Sequence, residues 1–98
     1  MKLDRQQVAT IRKQTGIAPI PVSAANASGL TRVFGEQTFY VGARSLYVFE
    51  RVESPSGEGE PVMAIRIGQV QAPDDDEAPL VVRAAEPRLT SLQADLAA

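Results

Sequence analysis

All five aromatic side chains of the chain fall between Phe34 and Val52, in the stretch FGEQTFYVGARSLYVFERV. Rings carry most of the area that a small core can bury, so the fold has to be organised around this stretch. Thr38 to Val41 and Leu46 to Phe49 are rich in β-branched and aromatic residues and flank Gly42-Ala43, the pattern of a β-hairpin. Glycine first in a two-residue loop suits a type II′ turn. That turn pairs Val41 with Arg44, Tyr40 with Ser45, Phe39 with Leu46 and Thr38 with Tyr47. A three-residue loop, Gly42 to Arg44, is the alternative and slips the register by one.

Side chains alternate along a strand, so Phe39, Val41, Leu46, Val48 and Val52 are expected on one face. Tyr40, Tyr47, Phe49 and Arg51 are expected on the other. Three rings on a second sheet face require a cover, either the N-terminal helix or proline-rich arm of the same chain or a partner. Tyr40, Arg44, Tyr47, Phe49 and Arg51 are therefore the candidate interaction surface.

The most sharply punctuated element precedes the hairpin. Asp4 and Gln7 have the spacing of a capping box, Leu3 and Val8 that of a hydrophobic staple, and Gly16 that of a left-handed C-terminal cap, so a helix is expected over residues 4–15. Its apolar stripe, Leu3, Val8, Ile11 and Thr15 with Ala9 beside it, is narrow, and a helix of this length needs docking onto the sheet. Residues 17–29 read as a proline-rich connection that ends in a mobile loop. Leu30 to Phe34 is either a short strand or one helical turn capped by Thr31.

After the hairpin, Glu53 to Pro61 is a polar loop. Val62 to Gln71 alternates Met63, Ile65 and Ile67 against Ala64, Arg66 and Gly68, a strand with one buried face. Leu80 to Ala84 is expected as a further strand, followed by a turn at Glu86-Pro87. Residues 88–96 fit a helical stripe of Leu89, Leu92 and Leu96, and equally an alternating strand; the turn before them favours the strand. The fold class is α+β, a single domain in which one N-terminal helix packs on a four- to five-stranded, mainly antiparallel sheet spanning residues 30–96.

The chemistry that the chain lacks is as informative as what it holds. Across 98 residues there is no cysteine and no histidine, which removes disulfides, thiolate catalysis and the commonest general base and metal ligand. Serines 45, 54, 56 and 91 have no histidine base, and neither lysine forms a Ser-Lys arrangement. Asp74-Asp75-Asp76-Glu77 is the one carboxylate run, but Pro79 and Ala85 stand at the sixth and twelfth positions, where a calcium loop needs glycine and a carboxylate. It reads as a solvated acidic turn. Gly57-Glu58-Gly59 is too short and too acidic for a phosphate loop. Neither a catalytic activity, a cofactor nor a metal is expected.

The charge is unevenly laid out. Residues 1–52 carry seven basic and three acidic groups, a net +4, and residues 53–98 carry three basic and nine acidic, a net −6. Such asymmetry suits head-to-tail association, a basic partner steered to the acidic end, or an ordinary solvated surface. Neither a secretory apolar segment nor a membrane-spanning one is present in the sequence, and arginine outnumbers lysine eight to two. The expectation is a cytoplasmic bacterial protein without membrane attachment.

The function expected is a non-catalytic protein–protein interaction or assembly module, acting on a protein partner or by self-association. The alternative is a weak nucleic-acid or small-ligand binder that uses the aromatic and arginine face of the hairpin. With a net charge of −2, nucleic acid is not the expected partner.

Overall fold

The structure, a computed structural model, describes residues 1–27, 29–42, 44–71 and 81–97. It is an α+β fold with helix α1 (Arg5–Thr15), two short helices α2 (Val22–Ala27) and α3 (Leu30–Phe34), and strands β1 (Ala18–Pro19), β2 (Tyr40–Gly42), β3 (Ser45–Arg51), β4 (Pro61–Gln71) and β5 (Val81–Asp95). The strands form one antiparallel sheet in the order β1-β2-β3-β4-β5. Each strand pairs with its neighbour in the chain.

Helix α1 forms for the reasons its sequence supplies. Asp4 Oδ1 accepts from the Gln7 amide at 2.8 Å and Gln7 Oε1 accepts from the Asp4 amide at 3.0 Å, satisfying two donors the first turn leaves free. Gly16, at φ 78, closes the other end by donating its N–H to the Arg12 carbonyl.

Two apolar clusters lie on opposite faces of the sheet. Under α1, Leu3 and Ile11 meet Tyr40, Phe49, Val62, Ala64 and Ala94. Under α2 and α3, Ala25 and Leu30 meet Phe39, Leu46, Val48, Ile67 and Val70. The division of hairpin side chains between faces is the one the alternation implies, and α1 is the cover of the ring-bearing face.

The hairpin register differs from both expected turns. Gly42 pairs with Ser45, Val41 with Leu46 and Tyr40 with Tyr47, so the turn falls after Gly42 rather than at it, and Arg44 takes φ 65. Each pairing moves by two residues relative to the type II′ arrangement, and an even shift preserves the faces. Gly42 is needed for another reason: a Cβ there would lie 2.9 Å from Ile17 Cγ2, where the chain leaving α1 crosses the hairpin end.

Other expectations are corrected. The connection 17–29 contains β1 and α2, so the sheet begins at Ala18 rather than after residue 29. Leu30 to Phe34 is helical, with Gly29 rather than Thr31 at the N-cap. Strand β4 does not keep one buried face: its first half turns Val62 and Ala64 to α1, its second half turns Ile67 and Val70 to the other cluster. A register shift between Leu46 and Tyr47 of β3, where Leu46 pairs with Gly68 and Tyr47 with Arg66, leaves Ile67 as the extra residue that exchanges the faces.

Glu86-Pro87 is no turn either, because β5 runs continuously through it to Asp95. Two register shifts interrupt the ladder with β4, the first between Met63 and Ile65 and the second, which spans Pro87, between Arg66 and Gly68; β5 is an edge strand, and edges and bulges are where a missing N–H is tolerated. At the first shift Thr90 Oγ1 donates to the Ala64 carbonyl at 2.8 Å and accepts from the Leu92 amide, filling the gap in the ladder. Residues 88–95 are thus strand, not helix. The acidic run Asp74 to Glu77 lies outside the described residues.

Candidate functional site

Burial sorts the five hairpin residues singled out from the sequence into two groups. Tyr40 and Phe49 are both 0 % exposed and pack edge to face, ring centroids 5.1 Å apart at 80°, an arrangement the ring quadrupoles favour. They belong to the core beneath α1 and present nothing to a partner. Tyr47 is half-buried at the rim of that cluster, whereas Arg44 and Arg51 are exposed. Arg51 reaches Glu60 only at 4.0 Å, a solvated pair of little energetic weight.

The Tyr40 hydroxyl is the single buried side-chain polar atom without a hydrogen-bond partner among the described residues. Burial pushes its pKa up to about 12 from 10.0, because an apolar enclosure disfavours the phenolate.

The register brings together residues that no sequence spacing connects. Tyr47 is opposite Tyr40 on one side and Arg66 on the other, and Arg66 is opposite Arg88. A second row, Ser45–Gln69–Arg83, runs parallel to it. Ser45 and Tyr47 are alternate residues of the regular strand β3 and share a face, so both rows lie on the α1 side of the sheet. Three of the chain's eight arginines therefore share this face of β4 and β5, Arg66 half-buried beside Tyr47 and Arg83 and Arg88 exposed on the outer strand. Among the described residues none of the three forms an ion pair. Like charges directly opposite one another weaken a sheet, so the Arg66–Arg88 pair is not there for stability.

No family model, curated protein or solved structure matches the chain. The site has to be read from its own chemistry.

The outer side of β5 is the other notable surface. β5 ends the sheet, and no described strand pairs with its far side. At its C-terminal end a side chain stands in for the missing neighbour: Gln14 of α1 donates Nε2–H to the Asp95 carbonyl and accepts the Asp95 N–H at Oε1, both at 2.8 Å. The Asp95 carboxylate in turn accepts from the amides of Glu60 and Ala97, and these bonds, Glu60 first, hold its carboxyl below the usual range. Toward the start of β5 no such cover is present among the described residues.

Other chemistries find no support among the described residues. No group of three or more His, Cys, Asp or Glu could hold a metal ion, and no helix is long and apolar enough to cross a membrane. The sequence pointed to rings and to Arg44 and Arg51; it missed Arg66, Arg83 and Arg88, because only strand pairing unites residues 22 apart.

Proposed function

We propose that the chain is a non-catalytic protein–protein interaction or assembly module. The observation that carries this reading is β5, a fifteen-residue edge strand whose backbone donors and acceptors form a template for an added strand. The complete absence of histidine and cysteine supports a binding role over a catalytic one. The excess of arginine over lysine, eight to two, supports an origin in a GC-rich bacterium.

The edge is selective rather than open throughout. Pro87, two bulges and the Gln14 bridge deny much of it to indiscriminate pairing, the usual protection against aggregation. Light scattering over a wide concentration range, together with cross-linking in the native host, tests the reading. Reversible association or a reproducible protein partner is expected. A strict monomer with no partner refutes it. Binding of single-stranded nucleic acid that collapses as salt rises would instead favour the alternative reading.

A further inference from the structure

Among the described residues Arg66, Arg83 and Arg88 form no ion pair and the start of the β5 edge has no cover, and these two features adjoin one another. Val70 donates its N–H to the Arg44 carbonyl, on the β3 side of β4. In an antiparallel ladder directly opposite residues either bond one another or both face away. Val82 is opposite Val70 and Ala84 is opposite Gly68, so the N–H and carbonyl groups of Val82 and Ala84 point outward from the sheet. Between them Arg83 rises from the α1 face, exposed, with Arg66 and Arg88 beyond it. The approach of the strands is locked here: a Cβ on Gly68 would come within 2.6 Å of the Arg83 carbonyl oxygen.

We propose that this edge binds an extended, acidic segment of a partner protein, added as a strand beside Val81–Ala84 with carboxylates at alternate positions. Alternate residues of an added strand face the same side of the sheet, which places them over Arg83 and its neighbours. Opposite charges across strands are favourable, and guanidinium forks match carboxylates in geometry as well as charge. The guanidinium–carboxylate pairing supplies the charge complementarity and the rim supplies the backbone bonds. Nucleic acid could use the first but not the second, and three arginines on a chain of net charge −2 fall short of the phosphate contacts that drive such binding. Arg66 and Arg88, directly opposite one another, gain carboxylate partners on binding.

The inference deepens the interaction-module reading and rests on it. The test is fluorescence anisotropy of the full chain with a short labelled peptide of alternating glutamate and threonine, against the same peptide with lysine for glutamate and a short oligothymidine. The glutamate peptide is expected to bind, more weakly at higher salt, and the lysine peptide not to bind. R83Q/R88Q, altering two exposed side chains, is expected to reduce affinity roughly tenfold or more while thermal stability stays level or rises, since a repulsive pair is relieved. A84P removes an outward N–H that no described strand uses and is expected to abolish binding with the fold retained. R5Q/R12Q on α1 is expected to leave binding unchanged.

Equal loss in R5Q/R12Q, tighter binding of the oligothymidine, or no binding of the glutamate peptide overturns the inference. If that peptide fails while light scattering still shows association, the module reading survives and only the acidic partner is lost.

Discussion

The orphaned Tyr40 hydroxyl yields the most direct quantitative prediction. Its ring is fully buried and makes the edge-to-face contact with Phe49, but its oxygen has no partner among the described residues. Tyr40→Phe keeps the ring, the contact and nearly the whole volume, and deletes only the hydroxyl. An unsatisfied buried polar group costs about 1–3 kcal/mol, and the small void left by the missing oxygen offsets part of the gain. Tyr40→Phe is therefore expected to stabilise the fold by about 1 kcal/mol at pH 7.

The same residue sets an alkaline limb. With the folded phenol at about 12 and the ordinary value at 10.0, both states keep the proton below pH 10 and the contribution to stability is fully present there. Between pH 10 and 12 the unfolded chain releases the proton while the folded chain holds it, so stability falls as pH rises. At about 1.4 kcal/mol for each pH unit of difference, the loss approaches about 3 kcal/mol. Urea unfolding followed by circular dichroism at pH 7 and at steps between pH 9 and 12, wild type beside Tyr40→Phe, isolates the effect, because every other group titrates in both proteins. The advantage of the variant should widen across that interval. A variant less stable than wild type by 1 kcal/mol at pH 7 would show that the hydroxyl has a partner, and a difference that stays constant to pH 12 would refute the burial argument.

Three further outcomes follow from the β4–β5 half of the sheet. Gly68→Ala forces a methyl against the Arg83 carbonyl at 2.6 Å, a backbone atom that cannot swing aside, and should cost about 1–3 kcal/mol in denaturant unfolding; an unchanged midpoint would mean the strands separate freely there. Gln14→Ala removes both bonds to the Asp95 backbone and should cost about 1 kcal/mol, with faster hydrogen exchange at the Asp95 amide as the local signature. The amides of Glu60 and Ala97 hold Asp95 below the ordinary carboxylate range, so its contribution is present above that range and lost as pH falls through the folded value; Asp95→Ala should flatten the acid limb of stability, and an identical acid limb in both proteins would sink the assignment.

What the sequence made legible was governed by how local the deciding interaction is. Helix α1 was readable to the residue because its caps are contacts between positions three or four apart. The faces of the hairpin were readable because alternation does not depend on the turn, and so survived a register that differs by two residues. Residues 17–29 concealed β1 and α2 because Pro19 and Pro21 signal extension. The paired Ala18–Pro19 and the helical turns after it form only against the hairpin and its apolar face. The unity of β5 was illegible because Glu86-Pro87 has turn chemistry. Only its place at the sheet edge, opposite a β4 that tolerates two register shifts, makes a strand of it.

The same logic explains why the candidate surface moved from rings to arginines. A small chain must spend its aromatic area on the core, since about 25 cal/mol for each Å² buried is its main source of stability. Tyr40 and Phe49 are consumed in that way, and with them the reason to expect a ring-lined docking face. Arginine is under no such demand. Where bulges in β4 and β5 re-aim successive side chains, Arg66 and Arg88 come to lie opposite one another, and neither forms an ion pair among the described residues. Such an arrangement lowers the stability of the isolated sheet, and relief of that repulsion is available to a ligand that brings negative charge. Neutralising one member, as in Arg88→Gln alone, should raise the melting temperature at low ionic strength and lose that gain as salt screens the pair. A melting temperature unmoved at every ionic strength would mean that the two guanidinium groups do not feel each other, and the electrostatic case for an acidic partner would go with it.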